Sequence, residues 1–202
     1  MSASNEAKEQ RRIQILQAVC RCLRVKSSAE LTIKDVANEA GVSYGLVHFY
    51  FNSKDQLFVE TIRYIMKYSE QVILEEMQPY MGRHLSDEEI LAFFRSYQRR
   101  LFFSEFAQYQ EIWHDLSTQS RFSAQAKAAA AESYATYKET VSEPLGRLFS
   151  QNDHHQLIYT LMMTFMEGMN VRVHLYDYDP EQEIANGEKM LRLLLKSMHE
   201  QA

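Results

Sequence analysis

Residues 32–58, TIKDVANEAGVSYGLVHFYFNSKDQLF, carry the local signals that decide the fold. Thr32-Ile33-Lys34-Asp35 has the spacing of a capping box: a hydroxyl set to accept from the Asp35 amide, and a carboxylate set to reach back to the N-cap amide. The pattern predicts a helix from about Ile33 to Glu39 that buries Val36, Ala37 and Ala40, with Gly41 in a left-handed C-terminal position. Val42 then tucks inward and Ser43 caps a short helix over about Tyr44 to Tyr50. Small Ala37 suits a close crossing of the two helices, and Val42 plugs the corner between them. This is the layout of a helix-turn-helix, whose second helix projects from the surface and matches the major groove of DNA by diameter.

Working outward, Ser53-Lys54-Asp55-Gln56 reads as a second capping box. It opens a long helix with Leu57, Phe58, Ile62, Ile65, Met66, Val72, Ile73 and Met77 as its apolar stripe, ending near Pro79–Gly82. Upstream, residues 6–25 place Ile13, Leu16, Val19, Cys20 and Leu23 at intervals of three and four, a first amphipathic helix with Arg11, Arg12, Arg21 and Arg24 on or near its polar side. Downstream, Ser86-x-x-Glu89 opens a fifth helix with Ile90, Leu91, Phe94, Tyr97 and Leu101 facing inward, and an aromatic-rich stretch continues to Trp113. An alanine-rich helix covers about 121–150, with Pro144 as the place for a kink. The last two helices cover about 153–176 and 181–200, the second announced by Asp179 at N-cap, Pro180 at N1 and Gln182 at N3.

The expected fold is therefore all-α, about nine helices. Residues 1–54 form a three-helix head containing the helix-turn-helix, and residues 55–202 form a helical bundle. Six Gly and three Pro in 202 residues favour this over a many-turned β architecture.

Net charge is −5, yet residues 1–54 hold eight Lys/Arg against five Asp/Glu, so the head is +3 and the remainder −8. A phosphate backbone meets the local field, and that field is positive where the helix-turn-helix lies. No apolar run approaches the ~20 residues of a membrane span. The polar N-terminus, MSASNEAKEQRR, lacks the apolar core of a secretory signal, so the expected location is cytoplasmic. Cys20 and Cys22 at i, i+2 point to different sides of a helix and read as two packed thiols.

The run of residues 32–58 resembles the TetR-family signature: helix-turn-helix, Gly45 in the recognition helix, Tyr50-Phe51, then Ser53-Lys54-Asp55, all near the chain start. The resemblance is close over about 27 residues; the first helix agrees in length and position, and the remaining helices agree in architecture. It implies roles position by position. Thr32 and Lys34 touch the DNA backbone at the start of the second helix. Ser43, Tyr44 and Gly45 sit at the N-terminus of the recognition helix against bases or phosphate, and Leu46 suits an apolar contact such as a thymine methyl. Tyr50 and Lys54 clamp phosphates. His48 departs from the family's common Tyr and brings a group whose charge varies with pH. Phe49 and Phe51 are expected in the core.

The resemblance also implies a ligand-responsive homodimer. Tyr97, Trp113, His114, Tyr137 and Met166 are candidates to line an apolar pocket for a small-molecule effector. The last two helices would pair with their copies in a four-helix seam, using Gly168, Leu191, Leu194, Leu195 and Met198. The partners implied are double-stranded operator DNA, an effector and a second copy, and repression is the family's common mode.

An enzyme is the rival class. Glu111-x-x-His114 fits one Glu-x-x-His element of a di-iron bundle, but such a site needs two, and His154-His155 are adjacent and face apart. No phosphate loop, nucleophile elbow or Cys/His zinc spacing occurs, so no metal, cofactor or catalytic residue is expected. The alternative to a DNA-binding regulator is a helical small-molecule-binding or interaction protein.

Overall fold

The computed structural model describes residues 3–104, 106–120, 124–149, 155–176 and 178–199. All regular structure among them is helical, as the capping signals and apolar spacing require: α1 (Ala3–Leu23), α2 (Ile33–Ala40), α3 (Tyr44–Tyr50), α4 (Lys54–Met77), α5 (Asp87–Phe103), α6 (Ala107–Ser120), α7 (Ala124–Tyr137), α8 (Glu143–Phe149), α9 (His155–Tyr176) and α10 (Pro180–His199). They form two compact units: Met1–Tyr68 with Gln108–Ala135, and Ser69–Ala107 with Thr136–Ala202. Helices α1 to α3 of the expected head lie wholly in the first.

In the first unit, α1 contributes to two cores. Ile15, Leu16, Ala18, Val19 and Cys22 pack with Leu31, Val36, Ala37, Ala40, Val47, Phe51 and Leu57, closing the head. Cys20 belongs to a second cluster with Val59, Ile62 and Ile65 of α4, Ile112 and Leu116 of α6, and Ala126 and Ala129 of α7. The two thiols are free and buried in separate clusters, as the i, i+2 spacing predicted, and burial pushes the Cys20 thiol up to about 12. It is an inert packed sulfur rather than a reactive thiolate.

The alanine-rich segment is one helix by sequence but three pieces in the structure. Between α7 and α8 the chain runs through a π-helical turn at Lys138–Ser142, where the Glu143 amide bonds the Lys138 carbonyl five residues back. Pro144 supplies the cause: without an N–H, and with a ring that crowds the preceding turn, it displaces the α register just before it.

In the second unit α10 runs antiparallel to α5 along a ladder of ion pairs: Glu88 with Arg192, Arg95 with Glu188 and Arg99 with Glu181. Each exposed pair contributes only about 0–1 kcal/mol, so the ladder sets register more than stability. Beneath it, Ile184, Gly187, Leu191 and Leu195 bury one stripe of α10. Gly187 is demanded by packing: a Cβ there would stand 2.6 Å from ring atoms of both Phe94 on α5 and Phe165 on α9.

Candidate nucleic-acid interface

The head is built by caps that consume its own polar groups. The Asp35 amide donates to Thr32 Oγ1 at 3.1 Å, while the Thr32 amide and hydroxyl both donate to Asp35 Oδ2 at 2.9 and 2.6 Å. Lys26 Nζ donates to Asp35 Oδ1 at 2.7 Å. Lys26 first, and the Thr32 bonds second, hold the Asp35 carboxyl well below the usual carboxylate range. At the other end of α2, Gly41 has φ 63°, its amide bonds Asn38 O, and the Val42 amide bonds Ala37 O. Together these make a Schellman ending, which throws the chain sideways into α3. Ser43 Oγ accepts from the Leu46 amide at 3.2 Å, so α3 starts capped.

Val47 and Phe51, four residues apart, are fully buried and anchor α3 to the head. The opposite side is open. Tyr44 is 55% exposed, its ring edge-on to His48 at 4.5 Å between centroids, and Gly45 is exposed beside it. A Cβ at Gly45 would meet nothing within 4 Å. No contact inside the chain therefore asks for glycine there, although glycine in a helix costs about 1 kcal/mol relative to alanine. Lys34 on α2 is exposed and has no ion-pair partner among the described residues.

Several expected contacts turn out to be engaged within the head. The Thr32 hydroxyl serves the capping box. Lys54 is half-buried, donating to the Ala29 carbonyl at 3.1 Å with its ammonium 5.4 Å from the Phe58 ring centre. Leu46 and Tyr50 are partly buried, Tyr50 against the head core.

Phe49 corrects the expectation of a core residue. It is 68% exposed, with Lys8 Nζ 5.7 Å from its ring centre. The signal was available: two residues from Val47 is ~200° around a helix of 3.6 residues per turn, so only one of the two can face inward.

The candidate pocket residues do not share one compact unit. Trp113 is partly buried against the Cys20 cluster of the first unit, whereas Tyr97, Tyr137 and Met166 are buried in the second. Burial pushes the Tyr97 hydroxyl up to about 12, and a hydrogen bond from Tyr137 acts against that rise. The side chain of His114 lies outside the described residues, as does that of Met198.

On the candidate dimer seam, Gly168 is exposed, Leu194 is half-buried, and Leu191 and Leu195 are buried within their own subunit. The last two belong to the core stripe of α10 and are unavailable to a partner. The open face of α10 carries Leu193 instead, 69% exposed.

Sequence reasoning also passed over Gln98, which has no exposed surface and hydrogen-bonds through neither amide atom. Its position in the stripe of Leu91, Phe94 and Leu101 was the signal: a polar residue at a core register. Among the described residues no group of three or more His, Cys, Asp or Glu side chains could hold a metal ion, and no helix is long and apolar enough to cross a membrane.

Residues 15–61 match the family of bacterial regulatory proteins, tetR family. The HTH-type transcriptional regulator BetI of Agrobacterium fabrum is 44% identical over 57 residues, 28% of this chain and 28% of BetI, so the match spans little more than a quarter of that relative. The fold is shared more widely. A TetR-family regulator structure from Rhodococcus sp. superposes with TM-score 0.73 at 19% identity, covering 93% of this chain and 99% of that one. A transcriptional regulator from Saccharomonospora viridis in complex with choline superposes with TM-score 0.70 at 18% identity, covering 94% and 98%. Through the helix-turn-helix that organises its first fifty residues, the chain is similar to the tetR family of bacterial regulatory proteins, the likeness in sequence running over residues 15–61.

Proposed function

We propose that this protein is a ligand-responsive transcriptional regulator, a repressor, that binds a palindromic operator as a homodimer. The single observation that carries the reading is α3: a capped helix pinned by Val47 and Phe51, with Tyr44, Gly45 and Phe49 facing solvent and no internal reason for the glycine. A close-approaching phosphate backbone is the partner that a bare Cα would accommodate. The DNA-binding domain is residues 1–54, and the rest binds the effector and the second copy. Tyr44 and Gly45 meet base edges or phosphate, and Lys34 meets the backbone. In the dimer two copies of α3 enter successive major grooves ~34–36 Å apart.

The exposed Leu161, Gly168 and Leu193 support pairing through α9 and α10. A small apolar or amphipathic molecule then shifts the spacing of the heads; a differential affinity of ~1–3 kcal/mol is enough for useful control. The choline held by the structural neighbour supports a small organic molecule as the effector class.

Fluorescence anisotropy with labelled duplexes from the chain's own upstream region tests the reading, combined with light scattering for mass. Binding as a dimer, with log affinity falling linearly against log salt, is the expected result. A monomer indifferent to every duplex at about 50 mM salt would end the proposal.

A further inference from the structure

Gln98 lies one turn beyond Phe94 and two beyond Leu91 on α5, and one turn before Leu101 and Phe102, all buried. Its own surface exposure is zero, and among the described residues neither the carboxamide oxygen nor the nitrogen has a hydrogen-bond partner. A buried amide left unsatisfied at both ends is strongly unfavourable, and folded proteins retain few of them. Neighbouring polar groups do not relieve it. Tyr97 is bonded by Tyr137, and Arg95, Arg99 and Arg100 turn outward to Glu188, Glu181 and the Glu75–Glu76 pair.

We propose that Gln98 is the polar anchor of the effector site, taking a neutral molecule that presents a donor and an acceptor side by side, as a carboxamide or lactam does. The inference rests on the effector-switched reading above and narrows its ligand class. The Gln98 oxygen accepts from the ligand N–H, and the Gln98 nitrogen donates to the ligand carbonyl, so both orphaned atoms are satisfied in one planar pair. The apolar side chains around it take the remainder of the molecule. A charged ligand would meet no opposite charge there, since the arginines of α5 are already paired at the surface.

The test compares the full-length protein with Gln98→Leu and Gln98→Met, using benzamide as the probe and toluene as its counterpart without a polar edge. Both variants should melt about 2–4 °C higher than the parent, because each removes an unsatisfied group. Benzamide should raise the Tm of the parent and bind the variants at least tenfold more weakly by calorimetry, while toluene treats all three alike. A lower Tm in both variants would identify Gln98 as part of a satisfied internal network and overturn the proposal. Benzamide stabilising all three equally, or none, would overturn it too. Duplex binding by the variants should match the parent's. A parent that binds no duplex refutes the regulator reading, whatever Gln98 does with benzamide.

Discussion

The head and the second unit both close polar side chains on one another, but what each leaves idle in its interior differs: the Ser28 hydroxyl in the head, a whole carboxamide in the second unit. In the head Thr32, Asp35 and Lys26 close on one another, Ser43 caps α3, and Lys54 reaches the Ala29 carbonyl. In the second unit Gln98 is buried with both amide atoms idle. The caps of the head fix the direction of α3 before DNA arrives, so little ordering is left for binding. The second unit keeps an unspent interaction in its interior, and the proposed effector site rests on it.

The comparison breaks most visibly if the head is not self-sufficient. Phe51→Ala removes a fully buried ring from its core and should cost about 3–5 kcal/mol, read as a large drop in Tm with loss of duplex binding. A near-parental Tm would mean that something other than this core holds α3.

Gly45→Ala separates folding from recognition. With open space at its Cβ, the variant should be as stable as the parent or up to ~1 kcal/mol more so. Its affinity for duplex should nonetheless fall by roughly tenfold or more, about 1.4 kcal/mol, because the added methyl lies on the open face. Unchanged affinity would remove Gly45 from the interface.

A smaller effect follows from the caps. Thr32→Ala should cost about 1 kcal/mol. The carboxylates of the two complete capping boxes, Asp35 in the head and Glu89 in the second unit, are held below their ordinary 3.8 and 4.5, Glu89 to about 2 by Arg83 first and Ser86 second. A depressed carboxylate stabilises the fold above its unfolded pKa, so both contributions are complete above about pH 4.5 and fade as pH falls towards 2. Melting from pH 6 to 2.5 should show this decline, and Asp35→Asn should flatten part of it. A flat profile in the parent would contradict the assignment.

The smallest expected effect is at Lys34. Lys34→Ala should weaken binding to all duplexes alike and lower the salt slope by about 1, with Tm unmoved. A change in operator preference instead would place this side chain at a base edge.

What the sequence made legible is what local chemistry decides. The Thr32–Asp35 box, the Gly41 ending, the Ser43 cap and the Ser86–Glu89 box are all present as read. The Ser53 box is half as expected: the Gln56 amide donates to Ser53 Oγ, but the Gln56 side chain accepts from the Asn52 amide rather than from that of Ser53. Burial was harder to read, since it depends on which element lands where. Phe49 and Phe51 look equivalent as letters, yet one is exposed and the other fully buried. Leu191, expected on the seam, is likewise buried, while Leu193 two residues on is exposed. Trp113 joined the first unit because α6 packs with α1 and α4 through Ile112 and Leu116, a pairing no local spacing announces.

The missing Cβ of Gly187 also bears on how the second unit can move. With Phe94 and Phe165 occupying the volume a side chain would need, α10 has no room to roll about its axis. The staggered charges along α5 penalise slippage lengthwise, since a shift of one rung would set Glu88 beside Glu188 or Arg95 beside Arg192. A helix denied rotation and opposed in translation keeps its seat on α5, so the two would carry any displacement together rather than by sliding past one another.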